Sequence, residues 1–109
     1  MSKRKNKITR LDKLWSKAVI KRDKGICQYC GKVGDEPHHI IYRRYGAVRH
    51  LLDNGLTLCI VCHRTQAHDN PLAFNSWFQD NYPDRYSIIQ KQRQIFKVDL
   101  DKMERGLKG

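Results

Sequence analysis

Acidic residues are scarce in this 109-residue sequence, 11 against 22 lysines and arginines, for a formal charge of +11. Long apolar runs are missing altogether, and none approaches the roughly 20 residues needed to cross a bilayer. The first residues, MSKRKNKITR, carry charge but lead into no apolar stretch and no small-residue cleavage site, so they do not read as a signal peptide. Cysteine is absent outside two C-x2-C pairs, Cys27-Cys30 and Cys59-Cys62, which leaves none for a disulfide framework elsewhere. These absences predict a cytoplasmic protein, in a reducing compartment and without a membrane partner.

The basic excess is uneven. Ten basic and two acidic residues fall within positions 1–25, beside the first cysteine pair. A polyanion is the natural partner of such a charge cluster, and nucleic acid is the commonest one in the cytosol. Length and a mean hydropathy of −0.74 predict one small polar domain over 1–109, with a modest core that an added staple would help.

The chain divides by pattern. Residues 1–8 read as a basic arm. A helix is predicted over 9–25, with Thr9 as its N-cap and Asp12 as a weak capping-box partner. Leu11, Leu14, Trp15, Ala18 and Val19 form its apolar stripe and Gly25 its stop, with Trp15 read as core. The zinc-stapled core is predicted over 27–68. In it, Pro37 to Tyr42 and Leu56 to Leu58 read as short strands around a polar loop, and a helix starts near Ile60. Helices follow over 70–109, the first capped by Asp69 or Asn70 with Pro71 near its first position and presenting Leu72, Phe74, Trp77 and Phe78. Tyr86, Ile88, Ile89, Ile95 and Phe96 are core candidates in the next. The fold class is small α+β.

Four thiolates in two C-x2-C pairs, with 28 residues between the pairs, suit a tetrahedral Zn²⁺ held by Cys27, Cys30, Cys59 and Cys62. An iron–sulfur cluster would accept the same ligands, although small basic nucleic-acid proteins more often use zinc. A disulfide is the bland alternative. Zinc here would be structural, because four protein ligands leave no open position, and its binding would supply much of the folding free energy.

Between and beside the knuckles lie His38, His39, Asn54 and His63. Neighbours on a strand point to opposite faces, so His38 and His39 are free for different tasks. This predicts that one reaches a metal together with His63 while the other faces a scissile phosphate. Imidazoles suit a catalytic divalent ion with open positions, and a histidine near its ordinary pKa of about 6.5 suits the base for the attacking water. Taken singly, Asn54 is equally a turn residue in Asp53-Asn54-Gly55.

The order HHI, Asn54 in NGLTLC, then CIVCH resembles the HNH endonuclease motif over roughly 27–68. RLDKLWSKAVIKRD before it is more distantly similar to phage nucleases of the lambda Rap (NinG) kind. The resemblance implies a ββα-metal (His-Me finger) core with flanking N- and C-terminal helices. It also implies His39 as general base, His38 and His63 as ligands of one Mg²⁺ or Mn²⁺, and Asn54 as the residue that braces the loop and helps orient the base. The family's further histidine position falls on Ala67. His68, rotated away on a regular helix, reads as a surface or DNA-contacting residue before a third ligand. His50 reads as solvated. The implied reaction is metal-dependent hydrolysis of DNA, double-stranded or branched. A bacterial or phage-infected cytosol and phage packaging or recombination partners accompany it, with the protein a monomer or homodimer.

Arg43, Arg44 and Arg49 in the loop, and Lys3, Arg4, Lys5 and Lys7 in the arm, are the candidate phosphate contacts. The rival function is a non-catalytic, zinc-stabilised nucleic-acid-binding module. His39 beside His38, with Asn54 at its offset, is the feature that such a module would not need.

Overall fold

A two-stranded sheet is at best marginally stable alone in water, so the packing around this one decides the fold. The structure, a computed structural model, describes residues 3–94 and 98–108. Strands β1 (Glu36–His39) and β2 (Gly55–Leu58) pair antiparallel, with His38 opposite Leu56 and His39 opposite Gly55. Helix α1 (Lys3–Arg22) packs against both strands. Leu11, Trp15 and Val19, spaced at i, i+4 and i+8, are its buried residues. A second cluster joins Leu56 and Leu58 of β2 to Phe74 and Phe78 of α4 (Pro71–Asn81) and Ile89 of α5 (Pro83–Gln92). The architecture is α+β.

Gly55 is where α1 meets the sheet. A Cβ there would lie 2.5 Å from Val19 Cγ2 and 2.7 Å from Trp15 Cζ2, so only glycine lets the helix sit this close. The contact is reinforced by Arg22, whose guanidinium donates to the carbonyls of Leu52 and Gly55 (2.6 Å each) while pairing with buried Asp23. Asp23 in turn accepts from the Thr57 N–H. Burial opposes ionisation of this carboxyl, but Arg22 and Thr57 hold its pKa below the ordinary value.

Several expectations are corrected. The basic arm is helical from Lys3, and Thr9 donates its hydroxyl to the Lys5 carbonyl one turn back rather than capping a start. The helix is extended because α6 (Leu100–Lys108) lies against it. Lys7 pairs with Asp101, and Arg10 pairs with Glu104 through bonds of 2.9 and 3.1 Å. Strand β1 ends at His39, not Tyr42: the Ile40 N–H still reaches the Asn54 carbonyl, but the Asn54 N–H turns to the Leu51 carbonyl and the Ile41 N–H to the Asn54 side chain. The loop beyond it contains a short helix α2 (Gly46–Arg49) and a 3₁₀ turn at Leu52–Asn54. Leu72 and Ile88 face outward, 84% and 43% exposed, while Phe74, Phe78 and Ile89 are buried. Ile95 and Phe96 lie outside the described residues. No described helix is long and apolar enough to cross a membrane.

Candidate metal centre and active site

The two knuckles are brought together by backbone bonds that start at the end of α1. Gly25, in the left-handed region at φ +67°, accepts at its carbonyl from the Gly34 N–H. The Cys27 N–H donates to Lys32, and Gly31 N–H, at φ +82°, donates back to the Cys27 carbonyl. The Gln28 N–H then bonds the Thr57 carbonyl, tying the first knuckle to β2 just before the second. Short helix α3 (Ile60–Cys62) follows, its Cys62 N–H donating to Cys59 Sγ at 3.4 Å.

As a result the four Sγ atoms all lie within 4.8 Å of one another, with Cys30 and Cys59 3.7 Å apart. Sulfurs bound tetrahedrally at about 2.3 Å from Zn²⁺ would be roughly 3.8 Å apart, so the donor set fits zinc in both type and spacing. Burial alone would raise the Cys27 thiol. Backbone N–H groups of Cys30, Cys59 and Tyr29 outweigh it and bring the pKa to about 7. Burial and the three neighbouring cysteines push the Cys62 thiol up, so without a cation the cluster favours one thiolate, at Cys27.

The helix that begins at α3 changes pitch. Residues His63–His68 form a π-helix, closed by the Asp69 N–H donating to the Arg64 carbonyl five residues back. On an α-helix five residues turn through about 500°, leaving His68 about 140° away from His63. On the wider turn their rings are edge to face, 4.4 Å between centroids. His38 joins them from β1, 5.2 Å from His63 and 6.0 Å from His68. Ring nitrogens of all three lie within 4.8 Å of one another, so His68 belongs with the cluster and is not turned away from it.

Burial drives the His38 pKa down to about 3, and the neighbouring His63 and His68 push the same way. His38 is therefore neutral, the form in which imidazole binds metal. His63 Nδ1–H faces the Glu36 carboxylate at 3.4 Å, which leaves Nε2 with its lone pair. A carboxylate behind a metal-facing histidine orients the ring and raises its basicity. Glu36 drew no notice in the sequence, although its place two residues before His38 on a strand puts both on one face.

His39 points to the other face and is held on two sides. Its ring stacks on Trp15, centroids 3.8 Å apart and planes 8° from parallel. Its Nε2 lies 2.9 Å from the Arg49 carbonyl. A carbonyl only accepts, so Nε2 carries the proton and Nδ1 keeps the lone pair. Burial lowers the His39 pKa against the opposing effect of that hydrogen bond, so the ring is neutral at pH 7.

Asn54 is fully buried. Its Oδ1 accepts from the Ile41 N–H at 2.7 Å, and its Nδ2 donates to the carbonyls of Ile41 and Val48, each at 3.0 Å. It thus bolts the start of the loop to α2, which carries Arg49.

Two loop residues depart from expectation. His50 is 3% exposed rather than solvated, with its Nε2–H donating to Asp12 at 2.7 Å. Arg49, expected at phosphates, is committed to the same Asp12 through bonds of 2.9 and 2.7 Å. Arg43 and Arg44 are exposed, and Arg44 rests over the rings of Tyr42 and Tyr45. Lys3, Arg4 and Lys5 are exposed on the first turn of α1.

No curated protein and no solved structure matches the chain. Residues 27–69, which hold both the four-cysteine and the three-histidine clusters, match the family model described as HNH endonuclease.

Proposed function

We propose that the protein is a metal-dependent DNA endonuclease in which His39 is the general base and His38, His63 and His68 hold one divalent ion. The supporting observation is the divergence of the two adjacent histidines. His38 joins a three-imidazole cluster, while His39, with its proton fixed on Nε2, turns a free Nδ1 lone pair to the other side of β1.

In this reading Nδ1 of His39 takes the proton of a water as its oxygen attacks phosphorus, and the bond to the leaving 3′-oxygen breaks, that oxygen taking a proton from solvent to give 3′-hydroxyl and 5′-phosphate ends. The Arg49 carbonyl stabilises the imidazolium that forms, because it accepts from Nε2–H throughout. A divalent ion bound by the three imidazoles would supply positive charge to the phosphate and leaving oxygen. Mg²⁺ or Mn²⁺ are the activators we assign, although three nitrogen donors also suit softer ions such as Zn²⁺. Cys27, Cys30, Cys59 and Cys62 hold a separate structural zinc. Asn54 sets the loop, and Arg43, Arg44, Lys3, Arg4 and Lys5 contribute salt-sensitive, sequence-independent affinity for the DNA backbone.

A supercoiled-plasmid assay with Mg²⁺ or Mn²⁺ tests the proposal. Wild-type protein should nick or cut, and His39→Ala should keep zinc and DNA affinity while cleavage falls by at least about 10². Binding without metal-dependent cleavage by the wild type would instead establish the non-catalytic binding module.

A further inference from the structure

The carbonyl that fixes the His39 proton belongs to the peptide unit joining Arg49 to His50. Both side chains flanking that peptide are gripped by one carboxylate on a distant element. Asp12, on α1, accepts from Arg49 Nε at 2.9 Å through Oδ1 and from an Arg49 terminal nitrogen at 2.7 Å through Oδ2. Its Oδ1 also accepts from His50 Nε2–H at 2.7 Å. We propose that Asp12 is a positioning residue, which sets the plane of the 49–50 peptide and through it the tautomer and aim of the His39 imidazole.

The alternative is a staple that merely attaches α1, but attachment is already provided. Leu11, Trp15 and Val19 are buried, and Trp15 Nε1–H donates to the Leu51 carbonyl at 2.8 Å. The residues that Asp12 selects are consecutive, and the acceptor carbonyl lies between them. α2 is only four residues long, with no side-chain cap at its N-terminus, and Asn54 holds the Val48 carbonyl in its last turn but not the Arg49 carbonyl, so the 49–50 peptide has little intrinsic rigidity. A bidentate arginine–carboxylate pair, with a buried histidine on the same carboxylate, restrains orientation in a way that an exposed single pair does not. Asp12 also lies outside residues 27–69, the segment that matches the HNH model, so α1 contributes something which that segment does not contain.

The inference rests on the nuclease reading for its kinetic consequence but not for its structural one, and the experiment separates the two. Asp12→Ala and the near-isosteric Asp12→Asn are compared with Glu104→Ala, which breaks the Arg10 and Lys108 pairs on the same helix pair without touching the loop. Single-turnover cleavage, DNA affinity, zinc content and melting temperature are measured, along with solvent exchange of the His39 Nε2–H in protein labelled with ¹⁵N-histidine. Both Asp12 variants should keep zinc content and DNA affinity within twofold. The cleavage step should fall by about tenfold to a hundredfold, the range expected when a reacting group is slightly misplaced. Exchange of the His39 proton should accelerate by at least about tenfold. Glu104→Ala should leave both unchanged at a temperature where all variants are folded. Cleavage and exchange within twofold of wild type in the Asp12 variants, or an equal change in Glu104→Ala, would overturn the proposal. If the wild type does not cleave, the nuclease reading fails, and the exchange rates alone decide for or against Asp12.

Discussion

His39 lies flat on Trp15, with 3.8 Å between ring centroids and 8° between planes. The indole that packs α1 onto the sheet is therefore also the surface on which the candidate base rests. Trp15→Phe should keep an aromatic face but lose the Nε1–H bond to Leu51, for about 1 kcal/mol of stability. Trp15→Ala should cost about 3–5 kcal/mol, because a fully packed indole is removed. In single-turnover cleavage the order of loss should be Ala well beyond Phe. Equal rates in the two variants would show that the stack does not hold the base.

Asn54 gives a sharper test, because its amide faces two carbonyls and one N–H. Asn54→Asp keeps the acceptor for Ile41 N–H but sets a carboxylate oxygen against the carbonyls of Ile41 and Val48. At pH 7 this variant should melt below Asn54→Ala, by about 1–3 kcal/mol for the added unsatisfied group. Protonation lets the carboxyl donate to one carbonyl. The Asp form has its folded pKa raised, so it binds more protons folded than unfolded, and it should gain stability relative to Asn54→Ala as pH falls toward 5. Melting curves at the two pH values decide it.

What the sequence disclosed followed the range of the interactions. The cysteine knuckles, and the opposite directions of His38 and His39, depend on spacing within a few residues, so strand and knuckle geometry predict them. The meeting of His63 with His68 depends on a change of helical pitch, which a 3.6-residue period hides. Asp12 reaches across 37 and 38 positions to Arg49 and His50, whereas the local pattern marked it only as a capping-box partner of Thr9. The helical start at Lys3 had one legible trace. Lys7 and Arg10 are three apart on α1, as are their partners Asp101 and Glu104 on α6. Asn54 was visible as a turn residue, but its three buried bonds follow from the closed loop.

The pH response of His38 follows from its burial. Its folded pKa, about 3, lies below the ordinary 6.5. Between those values the unfolded chain binds the proton and the folded one does not, so stability falls as pH falls through about 6.5 toward 3. Above 6.5 this group contributes no slope. In protein free of the second metal, His38→Asn should remove that part of the slope between pH 7 and 5.5. Zinc content must be verified at each pH, because acid also protonates the cysteines. Denaturant titrations with the same slope in both proteins would place His38 in water rather than in the cluster.

Gly34 tests how the zinc site is assembled. A Cβ there would lie 2.8 Å from the Leu58 carbonyl carbon and oxygen and 2.9 Å from the Cys59 N, all backbone atoms that cannot rotate aside. Relief would move the start of the second knuckle away from the first, and with it Cys59 relative to Cys30. Gly34→Ala should therefore lose about 1–3 kcal/mol through overpacking and bind zinc at least about tenfold more weakly in competition with a chelator, because distorted ligand spacing weakens a tetrahedral site. Gly106→Ala is the control. It lies in α6 with no atom within 4 Å of the added methyl, so it should gain up to about 1 kcal/mol from helix propensity and leave zinc affinity unchanged. Wild-type zinc affinity in Gly34→Ala would mean that the two knuckles are not held by this contact.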